Sequence, residues 1–426
     1  MRTGSATKVL AALHLLCLSG SLSVVIPLGD HAMATESFLA NLQAKIGSCD
    51  SATPAGTLVI ASTGNSITSA GYLGEGEQFV EVLSRKLQQR FNIRVEHRNL
   101  GVPASNCGYN WLCTRYQGDE DIIIDANPMK WARTARSDTS CENMLLSELS
   151  LPHRPVVVSM DVSFPKGHIK ENRVGKESLA AQFRSYQNCS LAVIRTADFL
   201  WDMHVTQGLA AYYHDDIHPS ASGHSMLGNL LYTTLVDASC GRAVTEGVKL
   251  AWASKPPVDS SRALGRGHCV LANDFGMNAT SAAGVAITSN TGWSLAHRGV
   301  VAHADATAGV LRDSKYSWMG NSPGSSIEFR INASAICLVY YTNRYRMGIV
   351  DVYLDGSINR TQHIDGYFEG YSWNRSRGLN NMRWIGKHPR LALKEHSVKM
   401  VISNCTNENI VNSKHEFQII AMLYFL

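Results

Sequence analysis

Residues 57–91, TLVIASTGNSITSAGYLGEGEQFVEVLSRKLQQRF, decide the fold. TLVIAST is a continuous apolar run of strand length, as expected of a strand buried on both faces. A Gly-Asn-Ser turn follows it. In EQFVEVLSRKLQQRF, Phe79, Val82, Leu83 and Leu87 then recur on one helical face. The same rhythm continues outward: IRVEHRNLG reads as a strand and turn, EDIIIDAN as a strand, CENMLLSELSL as a helix, RPVVVSMDVSF as a strand, and SASGHSMLGNLLYTTLVDA as a closing helix. Strands alternating with helices imply an α/β domain, a doubly wound parallel sheet with helices on both faces. In such a sheet, ligands gather beyond the carboxyl ends of the strands.

This texture holds over residues 55–240. Residues 241–268, with a Pro pair and no periodicity, read as a linker. Beyond it, SSIEFRINASAICLVYYTNR, MGIVDVYLDGS, HSVKMVISNC and FQIIAMLYFL are short β-branched or aromatic runs parted by Gly, Asn and Asp. An antiparallel β-sandwich over 269–426 is expected, with LDGS as hairpin turn chemistry.

The first residues have the order of a secretory signal: Arg2 and Lys8, an apolar run from Val9 to about Leu28, and small residues ending at Ala34. Residues 1–34 are therefore expected to be a signal peptide cleaved after Ala34, or an uncleaved membrane anchor, since the run is nearly long enough to span a bilayer. Either way the chain is expected to be secreted or to face the secretory lumen. Sequons at Asn188, Asn278, Asn332, Asn359, Asn374 and Asn404 are consistent with that. The 39 basic and 35 acidic side chains form no long basic block, which argues against nucleic acid as partner. Of ten cysteines, Cys17 lies in the leader, and Cys107 with Cys113 is the nearest pair for a disulfide in an oxidising compartment. No Cys/His set has zinc spacing, so neither metal nor cofactor is expected.

The segment YYHDDIHPSASGHSML, residues 212–227, carries the chemistry. Asp215 and His218 are three apart, and Pro219 keeps the segment from being a regular helix. A tight turn can bring the carboxylate to Nδ1 of the imidazole, which sets the tautomer and leaves Nε2 as a base. Asp215 is preferred over Asp216 and Asp161 on this spacing. A metal reading through His214 and His218 fails on the proline and the want of a third ligand. His224 is expected to cap or pack the start of the closing helix. A base needs a nucleophile, and Ser66 follows the first apolar strand in a turn that could present it at the sheet edge. Gly101, after the next strand, can offer an unobstructed backbone N–H, and Asn127, after the third, an amide.

Taken together, TGNSIT, NLGVPAS, DANP and DDIHPSASGH resemble the blocks of the SGNH, or GDSL-like, hydrolase superfamily, whose Ser, Gly, Asn and His come from successive strand ends of a flavodoxin-like three-layer sheet. The resemblance covers residues 55 to about 240. GVPASNCGYNWLC and ENMLLSELSLPHRPVVVSM further resemble the large eukaryotic SGNH proteins. It departs from the pattern at Asn65, where the name-giving motif has Asp, and in the third block, which lacks Gly-x-Asn-Asp. The resemblance implies ester hydrolysis with Ser66 as nucleophile, His218 as base, Asp215 orienting it, and an oxyanion hole from the N–H groups of Ser66 and Gly101 with Asn127. No GxSxG surrounds Ser66.

A secreted SGNH domain followed by a β-sandwich resembles carbohydrate esterases with an accessory glycan-binding module, which implies an acylated carbohydrate as substrate and O-deacetylation as the reaction. Trp293, Trp318, Tyr367, Trp373 and Trp384 could stack on sugars if exposed, or fill the sandwich core if not. Two rivals are a lumenal O-acyltransferase using the same residues, and a catalytically inactive glycan-binding protein of the same fold. A membrane partner is expected only if the N-terminal segment stays uncleaved.

Overall fold

The computed structural model describes residues 25–27, 32–47, 56–102, 105, 107–127, 139–160, 186, 189–196, 199, 210–215, 218–240, 267–277, 284–297, 316–342, 347–366, 379–385, 391–404 and 415–426. Two compact units divide the chain, one of Met1–Arg262 with Asp305–Gly309, the other of Ala263–Ala304 with Val310–Leu426.

In the first unit the described strands are β1 (Val25–Pro27), β2 (Ala32–Thr35), β3 (Thr57–Gly64), β4 (Arg94–Asn99), β5 (Ile122–Ala126), β6 (Val156–Met160) and β7 (Leu191–Ile194). The helices are α1 (Glu36–Ile46), α2 (Ser66–Ser69), α3 (Phe79–Phe91), α4 (Cys107–Cys113), α5 (Thr139–Leu149) and α6 (Ala221–Ser239). The sheet runs β1-β2-β7-β6-β5-β3-β4. From β7 to β4 all neighbours are parallel. Counting only these five parallel strands, the order is 2-1-3-4-5, the flavodoxin-like one, with its switch point between β3 and β5.

Every residue of β5 and β6 is buried, which is why their sequences are unbroken apolar runs. Ile122 and Ile124 face one core with α1, α3 and α6, while Ile123 faces another with α5. The expected face of α3 is buried, and Gln78 with Glu81 closes a reciprocal capping box at its start.

β1 and β2 extend the sheet as an antiparallel edge. Ala32 and Ala34 belong to its core. Thr35 caps α1 and its Oγ1 donates to the Cys189 carbonyl at 2.6 Å. A cut after Ala34 therefore falls inside this edge and would detach both strands from the sheet.

Cys107 is bonded to Cys141, not to Cys113 as expected from proximity in sequence. Cys107 and Cys113 stand at opposite ends of α4. Six helical steps put them about 9 Å apart along the axis, beyond the reach of a disulfide. α5 packs beside α4 and supplies the partner.

The second unit is all-β. One sheet, in the order β16-β15-β18-β13-β10-β9, is made of β9 (Gly276–Met277), β10 (Val285–Thr291), β13 (Ser326–Ala333), β15 (Ile349–Leu354), β16 (Gln362–Asp365) and β18 (Lys394–Ile402). Pairing is antiparallel except for the short β9 on β10. The other comprises β8 (Gly267–Leu271), β11 (Trp293–His297), β12 (Tyr316–Gly320), β14 (Ala335–Thr342), β17 (Leu379–Trp384) and β19 (Phe417–Phe425). Its order is β11-β12-β19-β14-β17, with β8 also on β19. Phe329, Val350 and Val398 of one sheet and Trp318, Leu338 and Ile419 of the other share one core, which makes the unit a sandwich.

Trp293 and Trp318 lie in that core, so they are not the sugar platforms that exposure would have made them. Trp318 Nε1 donates to the Ala272 carbonyl, which allows its indole to be buried. Trp384 is half-buried, and Tyr367 and Trp373 lie outside the described residues. Asn332, Asn359 and Asn404 are exposed; Asn188, Asn278 and Asn374 lie outside the described residues.

Candidate active site

β3 ends at Gly64, whose φ of +150° suits glycine and whose absent Cβ would come within 2.6 Å of the Ala126 carbonyl oxygen at the end of β5. The chain can therefore turn sharply between the two strands at the switch point. Asn65 then caps α2, its side chain accepting the Ile67 N–H at 3.0 Å. Ser66 is the first residue of α2 and is half-buried.

His218 arrives from the far end of the unit. A bridge between Tyr213 and Pro219 closes its loop, with the His214 N–H donating to the His218 carbonyl at 2.8 Å. Within the loop, Asp215 Oδ1 accepts the His218 backbone N–H at 2.8 Å, and Asp215 Oδ2 stands 2.9 Å from His218 Nδ1. His218 Nε2 stands 2.9 Å from Ser66 Oγ. A carboxylate can only accept, so Nδ1 carries the proton and Nε2 is left to accept from the serine hydroxyl. Ser66, His218 and Asp215 thus form one continuous hydrogen-bonded line. Asp216 and Asp161 lie outside the described residues.

The other expected residues are engaged elsewhere. Gly101 lies against the backbone of α2: a Cβ there would meet Ser69 N at 2.6 Å. Its N–H donates to Asn99 Oδ1 at 3.0 Å. Asn99 in turn donates to the Thr68 carbonyl, tying the second strand end to the first. Asn127 is fully buried. Its amide donates to Asp125 Oδ1 at 2.6 Å and to Met144 Sδ at 3.4 Å, and its carbonyl accepts from Asn110 of α4 at 2.7 Å. Both amide hydrogens are thereby used on the sheet edge and α5 rather than directed at Ser66.

His214, the other half of the metal reading, stacks on the Tyr72 ring at 5.8 Å. His224 is buried at the start of α6, against Phe79. Burial, and secondly the charge of His218, lowers its pKa to about 3. Sequence reasoning did not anticipate Asn99, Asn110 or Tyr72. Asn99 directly precedes the Leu-Gly of its block, a placement that could have marked it.

A serine, a histidine and an aspartate linked in this order, at the strand ends of a doubly wound sheet, form an arrangement in which the imidazole can take the serine proton. The particular likeness is to solved two-domain structures. A two-domain esterase active on acetylated mannans matches over 94% of this chain and 98% of its own, with a TM-score of 0.63 at 14% identity. Its co-crystal with mannopentaose matches equally, at 15% identity. The chain therefore shares the whole two-domain fold of that esterase. A member of the lipolytic G-D-S-L family from Veillonella parvula aligns with 41% of this chain and 95% of its own, at 17% identity and a TM-score of 0.31. No family profile matches the chain, and no curated protein matches it in sequence.

Proposed function

We propose that the chain is a secreted or lumenal serine esterase that removes O-acyl groups, O-acetyl first among them, from a carbohydrate. The observation that carries this reading is the relay from Ser66 Oγ to His218 Nε2, and from Nδ1 to Asp215, each link 2.9 Å long. In the reaction, His218 takes the hydroxyl proton as Ser66 attacks the ester carbonyl, and Asp215 stabilises the imidazolium. Collapse of the tetrahedral intermediate returns that proton to the leaving sugar oxygen. Water, deprotonated by the same nitrogen, then releases the acid and restores the serine.

The backbone N–H of Ser66 holds the oxyanion. In this reading the Gly101 N–H and the Asn127 amide join it by leaving Asn99 and Asp125 for the substrate, a change of partner made on binding. The carbohydrate is supported by the two-domain neighbour, which acts on acetylated mannans, so acetylated mannan is the first substrate to try.

The test is hydrolysis of p-nitrophenyl acetate and acetylated mannan, with fluorophosphonate labelling, by the wild type, Ser66→Ala, His218→Ala and Asn127→Ala. Both triad variants should lose at least about 1,000-fold in kcat, and Ser66→Ala should not label. Asn127→Ala should lose about 100-fold. An unlabelled wild type, or equal labelling of Ser66→Ala, sinks the esterase. A loss confined to thermal stability in Asn127→Ala would limit that residue to propping Asp125 and Asn110.

A further inference from the structure

Behind His218 runs a second chain of hydrogen bonds that the acyl transfer itself does not use. The Phe79 N–H donates to His224 Nδ1 at 3.3 Å. A neutral imidazole that accepts at Nδ1 carries its proton on Nε2, and His224 Nε2 stands 2.8 Å from the Tyr72 hydroxyl. The hydroxyl therefore accepts from His224 and donates its own hydrogen to the Pro219 carbonyl, 3.1 Å away. Each member has one role left once its neighbour is fixed, so the chain has a single direction. The Tyr72 ring also lies against His218, with centroids 5.0 Å apart and planes at 57°. His224 is wholly buried and its pKa is lowered to about 3, so it stays neutral when His218 takes up the serine proton.

Tyr72 follows just beyond α2, on the segment that carries Ser66, and Pro219 directly follows His218. Nucleophile and base thus come from segments distant in sequence, and the Tyr72–Pro219 hydrogen bond joins those segments. We infer that Tyr72, oriented by His224, is a positioning residue that sets the His218 imidazole against Ser66, an inference that rests on the esterase reading. His214 also stacks on the Tyr72 ring, with 14° between the planes.

The full chain carrying Tyr72→Phe, His224→Asn, His224→Gln or the Tyr72→Phe/His224→Asn pair tests this. Tyr72→Phe keeps the ring and removes the link. It should lower kcat and the fluorophosphonate labelling rate about tenfold, with KM within about twofold. Asn can replace only the Nδ1 acceptor, so His224→Asn should match Tyr72→Phe. Gln places a donor near Nε2 and should recover most of the rate. The double variant should be no worse than either single one, because all break the same chain. Wild-type rates in Tyr72→Phe, or losses that multiply in the pair, overturn the inference. Nitrogen-15 histidine NMR separates its failure from that of the esterase reading. Even in a wild type that does not label, His224 should hold the Nε2–H tautomer from about pH 5 to 8, and Tyr72→Phe should shift the His218 ring signals. A proton on His224 Nδ1, titration within that range, or unmoved His218 signals overturns it.

Discussion

His224 has a thermodynamic signature. Unfolded, a histidine titrates near about 6.5; folded, His224 is lowered to about 3. Above the higher value both states are neutral there and the group contributes no pH dependence. Below it the unfolded chain binds a proton that the folded protein refuses until about pH 3, so stability falls as pH falls through that window. The loss from this one group reaches about 2 kcal/mol by pH 5. Urea unfolding at pH 7.5 and 5.0 should show the wild type losing about that much more than His224→Gln. Equal losses would mean that His224 is not held neutral. Asn65 illustrates the opposite, a departure with no chemical cost at the cap. The position needs an oxygen to accept the Ile67 N–H, and an amide supplies it as well as a carboxylate. The meeting of Asp215 and His218 was legible in the sequence because a proline and a spacing of three allow a tight turn to join them. Tyr72 and His224 were not, because their partnership spans 152 residues and neither segment signals the other.

At the scale of elements, the parallel strands were legible because burial on both faces leaves unbroken apolar runs. The edge strands β1 and β2 were hidden because the same apolar letters also spell a leader. The pairing of Cys107 with Cys141 was hidden too, since it depends on α5 lying beside α4. That bond closes a loop between residues separated by 34 positions. In the chain-entropy account, a loop of this length stabilises the fold by about 3–4 kcal/mol. Cys141→Ser should lower the unfolding free energy of the first unit by about that amount, measured by urea denaturation at pH 7.5. A change below about 1 kcal/mol would mean that the helices hold each other without it.

At the scale of the molecule, the β-sandwich was legible as a class, but which of its two alternatives held for Trp293 and Trp318, platform or core, was not, since an aromatic in a strand reads alike on either face. The Cys107–Cys141 disulfide fits an oxidising compartment. Among the described residues no helix is long and apolar enough to cross a membrane. If the leader is removed, the cut should spare the edge strands, so N-terminal sequencing of secreted protein should find a first residue at or before Val25. A start at Thr35 would show that the unit folds without β1 and β2. Glycosidase treatment of the same sample should release N-glycans, with Asn332, Asn359 and Asn404 among the sites because all three are exposed.

The separation of Ser66 from His218 also has a consequence for biosynthesis. Ser66 emerges from the ribosome early, and its partner His218 follows 152 residues later. The Cys107–Cys141 bond can close in the interval, since both of its ends precede His218. A nascent chain can therefore acquire its covalent brace before the Ser66–His218 hydrogen bond is able to form, which waits until the loop ahead of α6 has been made.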